Sequence, residues 1–425
     1  MRKTIQRYLQ VGRHRAFRRF WLGMMISRTG DAFTAVALSW VVLGLAGPVQ
    51  LGIVLMCFGL PRVVSGPVAG RILDRIDPRP LLATDNAVRA ALIAVVPVLL
   101  WLHRLAVADL YVIAAASALC SAVTEVAEAS LVPRLVDDEH LEGANSLLAA
   151  NWEVASIAGP ALSGVIVATA GARFALLLDA ASFAVMAALC LSLPAFRPVP
   201  SAGPGATAAG LTTLFRFPAI LVLTVCGVGL LWLDGMATVL YPVYCRTFLH
   251  VTATGYGILV SAAGVGALLG VVLGPALFSR LPVGWRIGGA LAVAAPLFGL
   301  LRLAPDLPVA AVLLGLATFG SAPYFAFDRT LMQRLVPDDV RSRLAGARMT
   351  VSSLGFPLGS AAGGALIGAV GVPAMIVVIA GFFLAFAALP VLAVGLSAHP
   401  GASSAARRAE YGVNVEREGH GSGRL

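Results

Sequence analysis

The sequence predicts an all-α integral membrane protein with twelve transmembrane helices arranged as two pseudo-symmetric six-helix halves. Three observations carry that reading: twelve apolar stretches long enough to cross a bilayer, a very low charge density, and an internal repeat. The 425 residues are 59% hydrophobic and 12% charged, with a mean hydropathy of +0.88. A water-soluble chain of this balance would expose large apolar patches and aggregate. Lipid solvates the same surface, and helices satisfy their own backbone groups within it.

The first segment, residues 1–19, is basic: Arg2, Lys3, Arg7, Arg13, Arg15, Arg18 and Arg19 precede the first acid, Asp31. Organelle presequences share this bias. Here, however, the apolar run that follows is too long for a signal-peptide core and lacks a small-residue cleavage site, so a cytoplasmic anchor is expected. A helix needs about 20 apolar residues to cross the hydrocarbon core. That rule places spans at Phe20–Leu45, Leu51–Leu73, Leu81–Leu102, Leu110–Ala129, Leu147–Ala168 and Phe174–Leu193 in a first half, residues 20–195. The second half, residues 217–397, holds Ala219–Tyr241, Ala253–Phe278, Ile287–Leu301, Pro308–Phe327, Thr350–Val370 and Val372–Leu396. Between them, residues 196–216 contain the Pro-, Gly-, Ala- and Ser-rich stretch Pro198–Gly210 and read as a cytoplasmic linker. Residues 398–425 form a polar tail expected to be disordered.

Arginine placement sets the orientation. Arg71, Arg75, Arg79, Arg134, Arg197, Arg216, Arg280, Arg334, Arg341, Arg343, Arg348, Arg407 and Arg408 fall on the same side as the N-terminus, against Arg104, Arg173, Arg246 and Arg302 opposite. The positive-inside rule puts both termini in the cytoplasm of a bacterial-type inner membrane. The net charge of +10 is thereby accounted for by loops between spans, which argues against a nucleic-acid partner.

The halves repeat. A shift of 200 positions lays Leu131, Arg134, Leu135, Val136 and Asp138 on Leu331, Arg334, Leu335, Val336 and Asp338, and pairs Gly159, Gly164, Gly171 and Phe183 with Gly359, Gly364, Gly371 and Phe383. A shift of 205 pairs Gly52, Gly59 and Arg75 with Gly257, Gly264 and Arg280. Two six-helix halves with a site between them suit a transporter. An enzyme is not expected. No phosphate loop is present, and Cys57, Cys120, Cys190, Cys226 and Cys245 are scattered. His14, His103, His140, His250, His399 and His420 lie in loops or tails without ligand-like spacing. Neither a metal nor a cofactor is expected.

The break between the second and third spans reads Gly70-Arg-Ile-Leu-Asp74-Arg75-Ile-Asp-Pro-Arg79. Gly70 permits close helix approach, Asp74 can accept hydrogen bonds and favour a helix N-terminus, and Arg75 and Arg79 can hold a carboxylate or anionic lipid, so the four form a candidate conformational latch. The spacing resembles the signature loop of the major facilitator superfamily, with Asp77 where Gly is usual and Pro78 where Arg is usual. Further stretches are similar to the twelve-span exporter branch that contains enterobactin exporters and macrolide-efflux proteins. They include Phe17 to Gly23, Ser27 to Asp31, Asp85 with Arg89, Asp179 to Phe183, Gly255 to Gly270, and Leu335 to Arg343. The resemblance implies the major facilitator fold, export of small amphiphilic organic compounds (drugs, antibiotics or secondary metabolites) driven by the proton gradient, and usually a monomer. It also marks Gly159, Pro160 and Gly164 as an antiporter-like motif, although Ala155 stands where Gly is usual, and no Arg lies within the fourth span.

Ionisable residues at membrane depth are costly and mark function by default. Asp31 and Arg62 sit near the middle of the first and second spans and are expected to pair, with Arg28 as the competing partner one turn from Asp31. Asp234, Glu153 and Asp179 are further acids at depth. Glu125 and Glu128 are expected near Arg75 or Arg79, and Asp85 is expected to bridge Arg89 along one helix face. Arg28, Asp31, Arg62, Glu125, Glu153 and Asp234 make up the candidate coupling and substrate cavity. Trp232, Tyr241, Tyr244, Phe319, Tyr324, Phe325 and Phe327 offer rings for a bulky amphiphile, though packing explains any one of them. The expected partners are therefore the bilayer, a small organic substrate and protons. The alternative is a proton-coupled importer of a small nutrient on the same scaffold. A non-transporting receptor has no need of ions at Asp31, Arg62 and Asp234.

Overall fold

A computed structural model describes residues 11, 13–73, 75–195 and 212–397, and among them the chain is helical with no strand. The helices are α1 (Arg15–Leu45), α2 (Pro48–Leu73), α3 (Pro78–Trp101), α4 (Val107–Leu135), α5 (Leu141–Thr169), α6 (Ala172–Leu191), α7 (Pro218–Val243), α8 (Ala253–Leu277), α9 (Val283–Gly299), α10 (Leu307–Ser321), α11 (Pro323–Leu335), α12 (Asp338–Ser352) and α13 (Gly355–Ser397). Nine helices in the described residues are long and apolar enough to cross a membrane. Each apolar stretch read from the sequence falls on a helix. The tenth is shared by α10 and α11, the eleventh by α12 and the start of α13, and the twelfth is the rest of α13. Large apolar side chains face outward along these helices, among them Val112, Val272, Val312 and Leu392, as a lipid-facing surface requires.

Local signals set the helix ends. Asp77 accepts a hydrogen bond from the Arg79 amide (2.9 Å) and Pro78 opens α3, combining an N-cap with a preset backbone angle. Asp306 caps α10 through the Val309 amide (3.0 Å). The repeat is visible in the backbone: Gly171 and Gly371, 200 positions apart, have φ of +90° and +78°. Gly171 turns the chain between α5 and α6 and Gly371 breaks α13 into two helical segments, each in a conformation glycine adopts without steric cost.

In the first half α6 packs between α1 and α3, α4 packs on α2 and α3, and α1 also packs on α5. The halves meet where α2 lies on α13 and α5 lies on α8. Both seams are built from paired glycines. A Cβ at Gly164 would come within 2.6 Å of the Ala253 carbonyl oxygen, and one at Gly364 within 2.7 Å of the Pro48 carbonyl oxygen. Gly257 and Gly52 face the Pro160 and Ser360 carbonyls in return. Ser261 Oγ donates to the Ile157 carbonyl at 2.6 Å and Thr254 Oγ1 to that of Gly164 at 3.2 Å. These crossings lie toward the end of the bundle where α1 stops at Leu45, so the halves close tightly there.

Some sequence expectations are revised. α1 begins at Arg15, inside the segment assigned to a basic anchor, because the helix extends past its apolar core. Asp74, most of the linker and the tail lie outside the described residues.

Candidate functional site

A cavity of about 370 Å³ opens within the bundle. Its apolar lining includes Leu38, Val54, Phe58, Ile93 and Phe183, and its charged lining is Arg28, Asp31, Arg62, Arg89, Glu125, Glu128 and Asp179. All seven charges come from the first half. The second half contributes Thr238 and Phe356. The expected site between equal halves is thus displaced into the first.

The expected Asp31–Arg62 pair does not form. Arg89 Nη2 donates to Asp31 Oδ1 at 2.8 Å, with the Arg89 side chain 8% and the Asp31 side chain 48% exposed. The guanidinium lies over the Phe183 ring, 3.9 Å from its centroid, a favourable place for a cation in apolar surroundings. Asp179 is fully buried and accepts from Thr34 Oγ1 at 2.5 Å and from Ser182 Oγ at 3.1 Å. Glycine at position 30 permits this approach of α1 to α6, since a Cβ there would strike Ser182 and Asp179. Nor does Asp85 bridge Arg89. Its Oδ2 accepts from Thr124 Oγ1 at 2.5 Å, and its buried Oδ1 has no hydrogen-bond partner among the described residues, like Arg89 Nε one turn along the same helix.

Two further ion pairs line the cavity. Arg28 holds Glu128 in a two-pronged contact (2.9 and 2.7 Å), donates to the Leu148 carbonyl (3.2 Å), and sits 5.5 Å from the Trp152 ring centroid. Arg62 lies 3.6 Å from Glu125. The two glutamates therefore pair with cations of α1 and α2, not with Arg75 or Arg79. Arg79 instead donates to the Leu193 carbonyl (3.3 Å), and Arg75 is exposed. Gly70 lies on α2. Asp234 is exposed, one turn before the cavity-lining Thr238, whose hydroxyl donates to its carbonyl at 2.8 Å. Glu153 is half-buried and outside the cavity lining. Gly159 packs on Ala32 of α1, Pro160 faces Gly257, and Gly164 forms the α5–α8 seam, so the antiporter-like motif lies between α1 and the second half. Tyr244 and Tyr324 are buried and donate to the Leu301 and Leu223 carbonyls.

Sequence reasoning missed Arg89 as the partner of Asp31. Arg62 and Arg89 each sit eleven residues from the helix end, Leu73 or Pro78, that flanks the same break, about 17 Å deep at 1.5 Å per residue. Depth cannot separate them; the pairing itself does, with Arg89 on Asp31 and Arg62 turned to Glu125 of α4.

Comparison with known proteins agrees with this architecture. The family model of the Major Facilitator Superfamily matches residues 20–356. The chain belongs to that superfamily. Among its relatives, the multidrug efflux pump Tap of Mycolicibacterium fortuitum is 29% identical, covering 87% of this chain and 91% of Tap. The enterobactin exporter EntS of Citrobacter koseri is 26% identical over 88% of this chain and 94% of EntS. Among solved structures, a bacterial homologue of the iron transporter ferroportin in its inward-facing state has a TM-score of 0.71 at 19% identity, over 91% of this chain and 99% of that one. The superfamily member is a multi-pass membrane transporter and not an enzyme.

Proposed function

We propose that this transporter is a proton-coupled exporter of small amphiphilic organic compounds, working by alternating access with both termini in the cytoplasm. The observation that carries the reading is the Asp31–Arg89 pair on the cavity wall, backed by Asp179 and Asp85. Ions at such depth are costly to keep, and three carboxylates around one guanidinium make an arrangement whose charge changes when one proton binds. Asp31, half-exposed to the cavity, is the acid a proton reaches first. Its protonation removes the partner of Arg89, and Asp85, with an unfilled acceptor atom, then offers the guanidinium a new one. That exchange cuts the side-chain link between α1 and α3 and biases the balance between inward- and outward-open states.

The apolar lining with ion pairs at its rim suits an amphiphile, and the relatives Tap and EntS are, by name, an efflux pump and an exporter. The arginine distribution between spans supports cytoplasmic termini. On that orientation the glycine seams close the outer side.

The test measures accumulation of cationic dyes, macrolides and siderophore-like anions in exporter-deficient bacteria making the wild type or Asp31→Asn, with and without an uncoupler. Lower accumulation that is lost with the uncoupler and with Asp31→Asn is the expected result. Efflux untouched by Asp31→Asn removes that residue from the coupling path. Raised accumulation of any compound by the wild type overturns export in favour of import.

A further inference from the structure

We propose that His14, Asp137 and His140 form a binding site for a divalent transition-metal ion of the zinc type, at the foot of the first half and outside the transport cavity. The two histidines are 126 positions apart in sequence, yet their rings meet edge-on with centroids 5.3 Å apart. Asp137 Oδ2 lies 3.9 Å from His14 Nε2, and one ligand atom from each of the three residues falls within 4.8 Å of the others. Among the described residues Nδ1 of His140 is buried without a hydrogen-bond partner, with the exposed Glu139 carboxylate 3.7 Å away.

The donor set selects the ion. Two imidazoles and one carboxylate suit zinc, cobalt or nickel, whereas calcium and magnesium take oxygen cages. Bonds of about 2.0–2.1 Å place tetrahedral ligand atoms roughly 3.3 Å apart, so the site closes by a modest side-chain adjustment. Asp137 is 76% exposed and makes no capping bond, which leaves its carboxylate free to turn inward.

The backbone beneath the site is already held. Val11 is fully buried in an apolar cluster with Leu135, Val136 and Ala144, and contacts the Gly143 position of α5. The His14 amide donates to the Val11 carbonyl (3.2 Å), and the Arg18 amide to that of His14 (2.9 Å). His140 closes the 3₁₀ turn Asp138–His140, its amide bonded to the Asp137 carbonyl at 2.8 Å. An ion here ties the start of α1 to the turn that enters α5, and metal binding adds directly to folding free energy.

The experiment titrates Co²⁺ and Zn²⁺ into the full-length protein in detergent, purified through a tag without histidine. One Co²⁺ per chain with visible ligand-field bands, displaced by Zn²⁺, and a higher unfolding temperature with metal are expected. Loss of an outer partner of a metal ligand already costs roughly 10–100-fold in affinity, so His14→Ala, His140→Ala and Asp137→Asn should each weaken binding by about 100-fold or more. Their metal-free unfolding temperatures should match the wild type. The double variant His14→Cys/His140→Cys keeps two ligands and should bind Co²⁺ with thiolate charge-transfer bands, a result that stands even if an alanine variant fails to fold. Absence of Co²⁺ bands in the wild type, unchanged affinity in the histidine-to-alanine variants, or a double cysteine variant that binds without thiolate bands would each overturn the proposal.

Discussion

The two halves share a backbone plan and differ in what they bury. In the first, Asp85, Arg89 and Asp179 are buried at 5%, 6% and 0% exposure; in the second, the positions 205 or 200 residues later are Ala290, Ala294 and Ile379, all at 0%. Ser182 becomes Phe382, and Thr124 becomes the buried Tyr324. The glycine seams, by contrast, are kept in both copies, Gly164 on Gly257 and Gly52 on Gly364. The fold therefore needs the glycines and does not need the charges. Groups that are costly in a bilayer and dispensable in the sister half are the ones a transport function explains.

The strongest way to break this comparison is to make the first half resemble the second. Arg89→Met alone leaves Asp31 without its cation, and breaking a buried pair costs about 3–5 kcal/mol. The lower end applies, because Asp31 is 48% exposed. We expect a large fall in unfolding temperature in lipid nanodiscs and at least about 100-fold slower efflux, equivalent to roughly 2.7 kcal/mol. The combined variant Asp31→Asn, Asp85→Ala, Arg89→Met, Asp179→Ile should recover the unfolding temperature, since replacing a whole buried ionic group by uncharged residues is often neutral or stabilising. Its efflux should stay lost. Normal transport by the combined variant would show that the charges are packing after all.

What could be read from the sequence divides along the same line. Span positions, the two halves and the hinge glycines Gly171 and Gly371 follow from hydrophobicity and the repeat, which act along the chain. Partner choice acts across helices and leaves no mark along the chain. Asp85 and Arg89, four apart, suggested an intrahelical bridge, yet Thr124 and Asp31 on neighbouring helices take those atoms. The aromatic rings near the seventh and tenth spans were equally ambiguous, and a buried Tyr324 bonded to Leu223 differs in nothing from a cavity tyrosine until α7 is placed beside it. His14 and His140 have no sequence spacing that signals a meeting.

A second comparison concerns the kept feature. Gly164→Leu and Gly364→Leu place bulk at equivalent seams, where overpacking costs about 1–3 kcal/mol, a factor of roughly 5–150 in the equilibrium between states. Efflux by the two variants, normalised to the amount of protein in the membrane, should fall by similar factors. A loss confined to one variant would mean that only one seam carries the closing motion.

The acids at positions 128 and 328 sharpen the contrast further. Glu128 takes Arg28 from α1 and lines the cavity, whereas Asp328 takes Arg348 from α12 at 2.6 Å and does not. Glu128→Gln should change the order in which compounds are exported, by about tenfold for cations, matching the roughly 1.4 kcal/mol of one altered charge contact. Asp328→Asn should lower the unfolding temperature while leaving that order intact. Export assays across a charge series, run beside thermal unfolding, separate the two outcomes.

The smallest effect tests how far the asymmetry reaches beyond the cavity. Asp77 caps α3 through the Arg79 amide, while Pro282, 205 positions on, opens α9 without a side-chain cap. The loop that most resembles the superfamily signature thus departs from it at a residue with a local structural task. Asp77→Ala should cost about 1 kcal/mol, the usual worth of an N-cap, and lower the unfolding temperature by roughly 2 °C or less in a chain of this size. Asp77→Asn, which keeps the accepting oxygen, should restore it. If both variants instead slow efflux tenfold at unchanged unfolding temperature, the charge of Asp77 acts in the conformational latch with Arg75 and Arg79, and its capping bond is incidental.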